Sequence, residues 1–495
     1  KDASSALLKY ADFSHYADYF NGMEDENIVQ AIPNAKASEW MEENIPLFEC
    51  PQHNFEEMYY YRWWSLRKHI KETPVGYGMT EFLVQRSYSD KYNLIACAIG
   101  HHIYESRWLR DPKYLDQIIH TWYRGNDGGP MKKMDKFSSW NADAVLARYM
   151  VDGDKDYLLD MKKDLETEYQ RWERTNRLKN GLYWQGDVQD GMEESISGGR
   201  RKKYARPTIN SYMYGNAKAL SCIGILSGDE GMAMKYGMRA DTLKNLVENE
   251  LWNTRHQFFE TMRTDSSANV REAIGYIPWY FNLPDTTQKY EIAWKEIMDE
   301  KGFSAPYGLT TAERRHPEFR TRGVGKCEWD GAIWPFASAQ TLTAMANFMN
   351  NYPQTVLSDS VYFRQMELYV ESQYHRGRPY IGEYLDEVTG YWLKGDQERS
   401  RYYNHSTFND LIITGLIGLR PRLDNTIEVN PLIPADKWDW FCLDNVLYHG
   451  HNLTILWDKN GDRYHCGKGL RIFVDGKEVG QANTLTKIVC ENALK

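Results

Sequence analysis

Acidic side chains concentrate in two polar segments of this chain. The first, 187–195, includes Asp190 and Glu193, and the second, 382–390, includes Glu383. Two carboxyl groups of opposite protonation state can act as a general acid and a general base on one bond. Because Asp and Glu are rarely buried without a partner, the competing interpretation of each residue is a solvated surface charge.

A third segment, 329–335, combines aromatic rings with one acid. It contains Trp329, Asp330 and Trp334 and ends on a proline. Aromatic rings can stack on the face of a sugar, and a neighbouring carboxylate can accept hydrogen bonds from its hydroxyl groups. Trp329 and Trp334 are therefore either stacking platforms or core residues, and Asp330 is favoured as a hydroxyl ligand.

Taken in order, the three segments resemble the motifs of the six-hairpin glycosidases. These comprise glycoside hydrolase family 63, the mannosylglycerate hydrolases and, more remotely, the family 37 trehalases. Segment 187–195 looks like the family stretch that carries the general acid. Aligning its Gly, Met and Ser puts Glu193 at that position, where the family has Asp, and Asp190 is the rival for the role.

Segment 382–390 is similar to the family's Glu-Tyr segment that ends in Thr-Gly, in which the first Glu is the general base. Glu383 takes this role by resemblance. The segment 329–335 resembles the family motif that shapes a sugar subsite. The resemblance extends over roughly 40–419 and implies an (α/α)₆ barrel that hydrolyses glycosidic bonds with inversion.

Sugar pockets combine aromatic faces with a few placed polar groups, which defines the residues we expect in the cleft. Asp187 and Asp190 are either ligands of sugar hydroxyl groups or ion-pair partners of nearby arginines. Burial among rings such as Tyr183 and Trp184 would raise the pKa of a general acid. The expected substrate-binding residues are Arg107, Trp108, Trp184, Asp187, Asp190, Asn210, Tyr212, Trp329, Asp330, Trp334 and His405.

Amphipathic helical hairpins recur through the middle of the chain. Apolar residues with helical spacing occur at 115–122, 142–149, 158–172, 213–224 and 236–246, separated by short turns that contain Gly and Asp. Their irregular period favours a closed ring over an open solenoid. The sequence thus predicts a mainly α protein, with an (α/α)₆ toroid of about twelve helices.

Composition changes at Arg420-Pro421. Five short runs with β propensity follow, at 426–429, 445–448, 453–457, 470–474 and 487–489, and Asp475-Gly476 is typical of a hairpin turn. We therefore expect an N-terminal extension packed on the barrel at 1–39, the catalytic barrel at 40–419, and a small antiparallel β domain at 420–495.

Bulk properties exclude several function classes. The formal net charge of -9, without a basic block, argues against nucleic-acid binding. The longest apolar run, 411–419, is too short to span a membrane. No Cys or His cluster has metal-ligand spacing, so we expect neither a metal nor another cofactor, and the seven cysteines should be buried thiols.

We expect that a leader has been removed and that the protein is periplasmic or secreted, with a cytoplasmic location left open.

Two other functions remain open at the level of sequence. A polysaccharide lyase would use a Tyr or His base, for which Tyr212 and His405 are candidates, together with an arginine cluster. A glycan-binding protein without turnover would keep the fold but not the chemistry. A phosphorylase is disfavoured because it needs no carboxylate base such as Glu383. The partner is a carbohydrate whose sugar, linkage and anomer are open, as is the oligomeric state.

Overall fold

The computed structural model describes residues 6–287, 289–323 and 325–495. Helices are the main secondary structure of these residues. In chain order the helices are α1 (Ser14–Asn21), α2 (Ala37–Asn44), α3 (His53–Lys68), α4 (Ile99–Ser106), α5 (Lys113–Arg124), α6 (Asn141–Asp152), α7 (Lys155–Asp160), α8 (Lys162–Asn176), α9 (Pro207–Leu226), α10 (Glu230–Leu246), α11 (Ile277–Tyr280), α12 (Pro335–Asn351), α13 (Asp359–Ser372) and α14 (Asn409–Leu411). A 3-10 helix lies at Glu291–Ile297, and a π turn extends α14 through Ile412–Leu416.

Six of these helices form a closed inner ring. Helix α4 contacts α6, α6 contacts α9, and contacts continue through α11 and α12 to α14, which returns to α4. Helices α3, α5, α8, α10, the 3-10 helix and α13 alternate with them along the chain. This is the (α/α)₆ toroid, and the fold class predicted from the sequence is confirmed.

Burial patterns explain which helices lie inside the ring. Helix α9 is buried continuously from Pro207 to Ala217, as expected for a helix enclosed by others. Helix α10 buries residues only at Met232, Tyr236, Ala240 and Leu243, which form one stripe. A single apolar stripe is typical of a helix that packs on the ring with its other face in water.

The helices predicted at 115–122, 142–149, 213–224 and 236–246 are present as α5, α6, α9 and α10. The predicted helix 158–172 is divided at Met161, where α7 ends and α8 begins. The aromatic helix α3 was not predicted, because twelve of its residues are buried and it has no simple stripe.

Seventeen short strands lie in the described residues. They are β1 (Leu47–Glu49), β2 (Ile70–Thr73), β3 (Gly76–Met79), β4 (Trp184–Gln185), β5 (Tyr204–Ala205), β6 (Trp252–Asn253), β7 (Phe258–Phe259), β8 (Ser304–Ala305), β9 (Gly308–Leu309), β10 (Tyr374–His375), β11 (Arg378–Pro379), β12 (Ile427–Val429), β13 (Trp440–Tyr448), β14 (His451–Asp458), β15 (Gly469–Val474), β16 (Lys477–Ala482) and β17 (Ile488–Cys490). Strands β2–β11 form two-stranded ribbons between helices.

The C-terminal strands form an antiparallel sheet of order β1-β13-β14-β15-β16, beside a ribbon of β12 and β17. The five predicted strands are present as β12, β13, β14, β15 and β17. Asp475 and Gly476 connect β15 to β16 with positive φ angles of 49° and 83°, which is typical of a tight hairpin turn. Strand β1 was not predicted in this sheet, since it comes from the N-terminal part of the chain and pairs with β13.

All seven cysteines are free thiols. Cys50, Cys97, Cys442 and Cys490 are buried, whereas the other three are only partly buried, which corrects the expectation that all are core residues. Within the described residues, no helix is both long and apolar enough to cross a membrane.

Candidate active site

A cavity of about 510 Å³ opens at the N-terminal ends of the inner helices. Its walls come from the segments that precede α4, α6, α9, α12 and α14, together with residues that follow β3. The residues lining it are Glu81, Tyr88, Ile95, Cys97, Lys136, Phe137, Val188, Gly191, Glu193, Glu194, Arg200, Gly325, Lys326, Cys327, Trp334, Phe336, Glu383, Lys394, Arg399, Tyr403 and His405. Acids from three separate segments, Glu81, Glu193 and Glu383, therefore share one concave surface.

Glu193 is carried into the cavity by a loop that Asp190 anchors. The buried Asp190 carboxylate accepts hydrogen bonds from Arg206 Nε at 2.7 Å, from Thr208 Oγ1 at 2.6 Å and from Ser138 Oγ. Gly191 then reverses the chain with φ 72°. The acid at 190 thus faces inward, and the acid three residues later faces the cavity.

Burial raises the pKa of Glu193 to about 7, assisted by the nearby carboxylates Glu383 and Asp187 and opposed by a hydrogen bond from the backbone N–H of Glu193. Among the described residues, Glu193 forms no ion pair. A carboxyl group with this pKa is protonated over part of the neutral range, which is what a general acid requires. The rings lining the cavity belong to Tyr88, Phe137, Trp334, Phe336, Tyr403 and His405, and not to the expected Tyr183 and Trp184.

Glu383 has the opposite electrostatic environment. Its side chain is buried, and its Oε2 accepts a hydrogen bond from Arg399 Nη2 at 3.1 Å. Lys394 Nζ lies 3.8 Å from the same oxygen. These two cations supply the counter-charges of a buried carboxylate, so Glu383 suits the role of a general base.

Glu81 is a further carboxyl of the cavity, and the sequence interpretation missed it. It is buried, its Oε1 accepts from Cys97 Sγ at 3.1 Å, and its Oε2 accepts from Tyr403 Oη at 2.8 Å. Burial raises its pKa to about 7, opposed by the two hydrogen bonds and assisted by Glu383 and Glu193. A lone acid within the largely apolar run 79–84 was the available sequence signal.

Trp334 and His405 are the two expected binding residues that do line the cavity. Trp334 lies between Trp329 and Tyr384, with ring centroids 4.6 Å away on each side. His405 Nε2 has no hydrogen-bond partner among the described residues, and burial lowers its pKa well below the ordinary value. A neutral imidazole with an unpaired nitrogen is suited to hold a sugar hydroxyl group.

Four further expected residues lie around the cavity without lining it. Trp329 backs Trp334, and Asp330 accepts from the backbone N–H of Arg322 at 2.9 Å. Trp184 lies under Lys203, whose Nζ is 5.0 Å from the ring centroid. Asp187 is buried beside the Glu193 loop and acts on Glu193 through its charge.

The expectation that all these residues line one cleft needs correction at five positions where the side chains have structural partners. Asp190 is the loop anchor. Asn210, on helix α9, accepts a hydrogen bond from the backbone N–H of Tyr183 and donates one to the carbonyl of Tyr183. These two bonds fix the chain just before β4. Tyr212 is buried and accepts from Gln340 Nε2 at 2.8 Å.

Arg107 and Trp108, the other two positions, lie at the C-terminal end of α4, the opposite end of the toroid from the cavity. Both donate to Asp410 Oδ1, Arg107 Nη2 at 2.8 Å and Trp108 Nε1 at 2.8 Å. One helix of eight residues is long enough to separate these two regions.

Comparison with known sequence families gives two matches. Residues 91–406 match the mannosylglycerate hydrolase MGH1-like glycoside hydrolase domain, a region that contains Glu193 and Glu383. Residues 419–480 match the C-terminal domain of glycosyl hydrolase family 65.

Comparison with solved structures supports the same fold. The chain is 94% identical to a protein named sialidase, with a TM-score of 0.99 over 99% of this chain, but it spans only 46% of that protein. A GH63 mannosylglycerate hydrolase from Thermus thermophilus, solved with glucose, is 12% identical over 72% of this chain and 99% of its own, with a TM-score of 0.54. A GH78 family rhamnosidase from a Bacillus species is 10% identical over 87% of this chain and 41% of its own, with a TM-score of 0.57.

Proposed function

Because this chain belongs to the mannosylglycerate hydrolase MGH1-like glycoside hydrolase family, we propose that it hydrolyses a glycosidic bond with inversion, with Glu193 as general acid and Glu383 as general base. It is a glycosidase, and its substrate is a carbohydrate. The finer proposal concerns which carboxyl performs which step and on which face of the sugar.

The observation that carries this proposal is the contrast between two carboxyls of one cavity. Glu193 forms no ion pair with a described residue, and burial raises its pKa to about 7. Glu383 is paired with Arg399 and Lys394. An acid without a counter-ion fits the proton donor of such a reaction, and an acid held beside two cations fits the proton acceptor.

The reaction follows from these states. Glu193 donates its proton to the glycosidic oxygen as the bond to the anomeric carbon breaks. Glu383 accepts a proton from a water molecule, whose oxygen attacks the anomeric carbon from the opposite face. The leaving group departs as an alcohol, the sugar is released with inverted configuration, and exchange with solvent restores both carboxyls.

The remaining lining residues are suited to hold the sugar. His405 offers an unpaired nitrogen, and Glu81 offers a carboxyl fixed by Cys97 and Tyr403. Of the two candidate bases for lyase chemistry, Tyr212 is buried on helix α9 and bonded to Gln340, whereas His405 lines the cavity. An assay for unsaturated products would test that alternative.

The test begins with a panel of oligosaccharides and aryl glycosides, from which released monosaccharide identifies a substrate. On that sugar, Glu193→Gln should lower kcat by about 10²- to 10⁴-fold for poor leaving groups and much less for dinitrophenyl glycosides, which need no protonation. Glu383→Gln should lower both rates, and azide should partly restore activity with an inverted glycosyl azide as product.

Neighbouring acids provide matched controls. Glu194→Gln removes the acid that follows Glu193, and Glu398→Gln removes the exposed acid that precedes Arg399. Each should alter kcat by less than about tenfold. If Glu193→Gln slowed both substrate classes equally while Glu81→Gln showed the leaving-group dependence, the acid would be Glu81. Binding of glycans without any turnover by the intact protein would contradict the hydrolytic proposal.

A further inference from the structure

A second cavity, of about 380 Å³, lies at the other end of the toroid. Helices α4, α11 and α12 contribute their C-terminal parts, α6 contributes residues from Asp143 to Met150, and α14 contributes Asp410. The segment that leads to the C-terminal sheet closes one side with Arg420, Pro421, Arg422 and Glu428. This cavity shares no lining residue with the active-site cavity. We call this second space the far cavity.

The far cavity has a rigid polar lining. Arg107 donates to Asp410 Oδ1 at 2.8 Å and to the carbonyl of Ala147 at 3.0 Å. Arg420 donates to the carbonyl of Thr414 at 3.0 Å and to Asn347 Oδ1 at 2.6 Å. Each guanidinium thus binds a backbone carbonyl as well as a side chain, which fixes its position at the cavity wall.

One acid of the lining is available to a ligand. Asp143 Oδ2 accepts from Tyr104 Oη at 2.6 Å, and its other oxygen has no hydrogen-bond partner among the described residues. Burial raises the pKa of Asp143 to about 7, opposed by Tyr104 and Arg107. Near neutral pH this carboxyl can therefore donate or accept a hydrogen bond.

The charges of the lining cancel when Asp143 is ionised. Three arginines, Arg107, Arg420 and Arg422, then face three carboxylates, Asp143, Asp410 and Glu428, and protonation of Asp143 leaves a net charge of only +1. Arg422 Nη1 also lies 3.1 Å from Glu428. An anion would need a net positive site and a cation a net negative one, so a balanced lining favours a neutral ligand.

Aromatic and polar groups alternate around this space. Tyr104 and Tyr280 meet edge to face with ring centroids 5.5 Å apart, and Phe281 adds a third ring. A hydroxyl group both donates and accepts hydrogen bonds, so it can satisfy arginines and carboxylates together. The C–H face of a sugar ring packs well on aromatic side chains.

We propose that the far cavity binds a neutral, polyhydroxylated molecule of monosaccharide size, as a second carbohydrate site at the opposite end of the barrel from the active site. Its volume lies within the range of small-molecule pockets. The site stands on its own lining, so it does not depend on the roles of Glu193 and Glu383.

The test uses free neutral hexoses, pentoses and 6-deoxyhexoses as probes, with inorganic phosphate and methylammonium as charged probes, in isothermal titration calorimetry. Thr343, on α12, lines the far cavity. Thr343→Trp should fill the space and weaken binding of the responding sugar by about tenfold or more, whereas Thr343→Ala should leave it within about threefold. Thermal unfolding checks that both variants fold.

A second measurement keeps the proposal testable if Thr343→Trp does not fold. Wild-type crystals soaked in the responding sugar should show it between Tyr104, Tyr280 and Asp143. Equal sugar binding by both Thr343 variants, a soaked crystal without sugar in the far cavity, or binding there of only phosphate or methylammonium would overturn the proposal.

Discussion

At the scale of single residues, the site depends on two acids of one loop having opposite surroundings. The Asp190 carboxylate accepts hydrogen bonds from Arg206, Thr208 and Ser138. These bonds anchor the loop that turns Glu193 toward the cavity. The resemblance of motifs selected Glu193 over Asp190, and the structure places only Glu193 at the cavity wall. Sequence spacing alone cannot make this choice, because it depends on an arginine that follows sixteen residues later.

The pH dependence of turnover follows from the Glu193 carboxyl. Burial raises its pKa to about 7, and a general acid works only while protonated. With poor leaving groups, kcat should therefore fall about tenfold per pH unit above this value. In Glu193→Gln the alkaline limb should vanish, as measured by kcat between about pH 5 and 9. An alkaline limb that persists in the variant would assign it to another group.

The position of Glu81 in the cavity could not be predicted from the sequence. Its partners Cys97 and Tyr403 lie 16 and 322 residues away, so no local pattern links the three side chains. Arg399 reaches Glu383 from sixteen residues further along the chain and carried no motif either. The motifs pointed to Glu193 and Glu383, and both line the cavity. They gave no indication of the nearby Glu81 and Arg399.

At the scale of elements, the cavity is assembled from loops at the N-terminal ends of inner helices, so helix spacing sets its shape. Gly100 on α4 lies against the ring of Trp140, directly before α6. A Cβ at position 100 would lie 2.1 Å from Trp140 Cε2. These two residues fix how closely helices α4 and α6, which follow Cys97 and Phe137 in the chain, approach each other.

Gly100→Ala should therefore destabilise the protein by about 1–3 kcal/mol, since a buried indole cannot move without disturbing its neighbours. Urea unfolding would measure this change. Gly231→Ala on the outer helix α10 is the control, because its Cβ would meet nothing closer than Asp229 Oδ1 at 3.6 Å. It should change stability by less than about 1 kcal/mol. Equal effects of both substitutions would contradict this account of the ring.

Helical elements with one apolar stripe were predictable from the sequence, and those enclosed on several sides were less so. Helix α10 has one apolar stripe, which helical periodicity detects in the sequence. Helix α3 is buried on almost all sides, so its apolar residues do not repeat along a single face. Helix α11 has only four residues, Ile277–Tyr280, and completes the ring through contacts with α9 and α12. Such an element depends on tertiary packing, which local patterns do not contain.

At the scale of the whole molecule, the barrel and the C-terminal sheet are joined by several contacts distant in sequence. Strand β1 pairs with β13, and Asp444 accepts the backbone N–H of Leu8 at 2.7 Å. Arg110 Nη1 donates to the carbonyl of Asn445 at 2.7 Å. The sheet therefore includes chain from both sides of the helical region, which a linear division of the sequence did not anticipate.

This arrangement predicts a single cooperative unfolding transition. Loss of the sheet would remove the strand that pairs with β1 and the groups bonded to Arg110 Nη1 and to the backbone N–H of Leu8, so the barrel should not remain folded alone. Differential scanning calorimetry of the 495-residue chain should show one peak, and a chain ending at residue 419 should melt at lower temperature or fail to fold. Two resolved peaks would show that the parts unfold independently.

The central claim is that Glu193 and Glu383 act on opposite faces of one sugar, and the stereochemistry of the first product tests it most directly. Proton NMR of the reaction, recorded before the released sugar mutarotates, should show the anomer opposite to that of the substrate, because water attacks once and from the far side. Release of the same anomer as the substrate would mean a covalent intermediate and would contradict the assignment of Glu383 as a base.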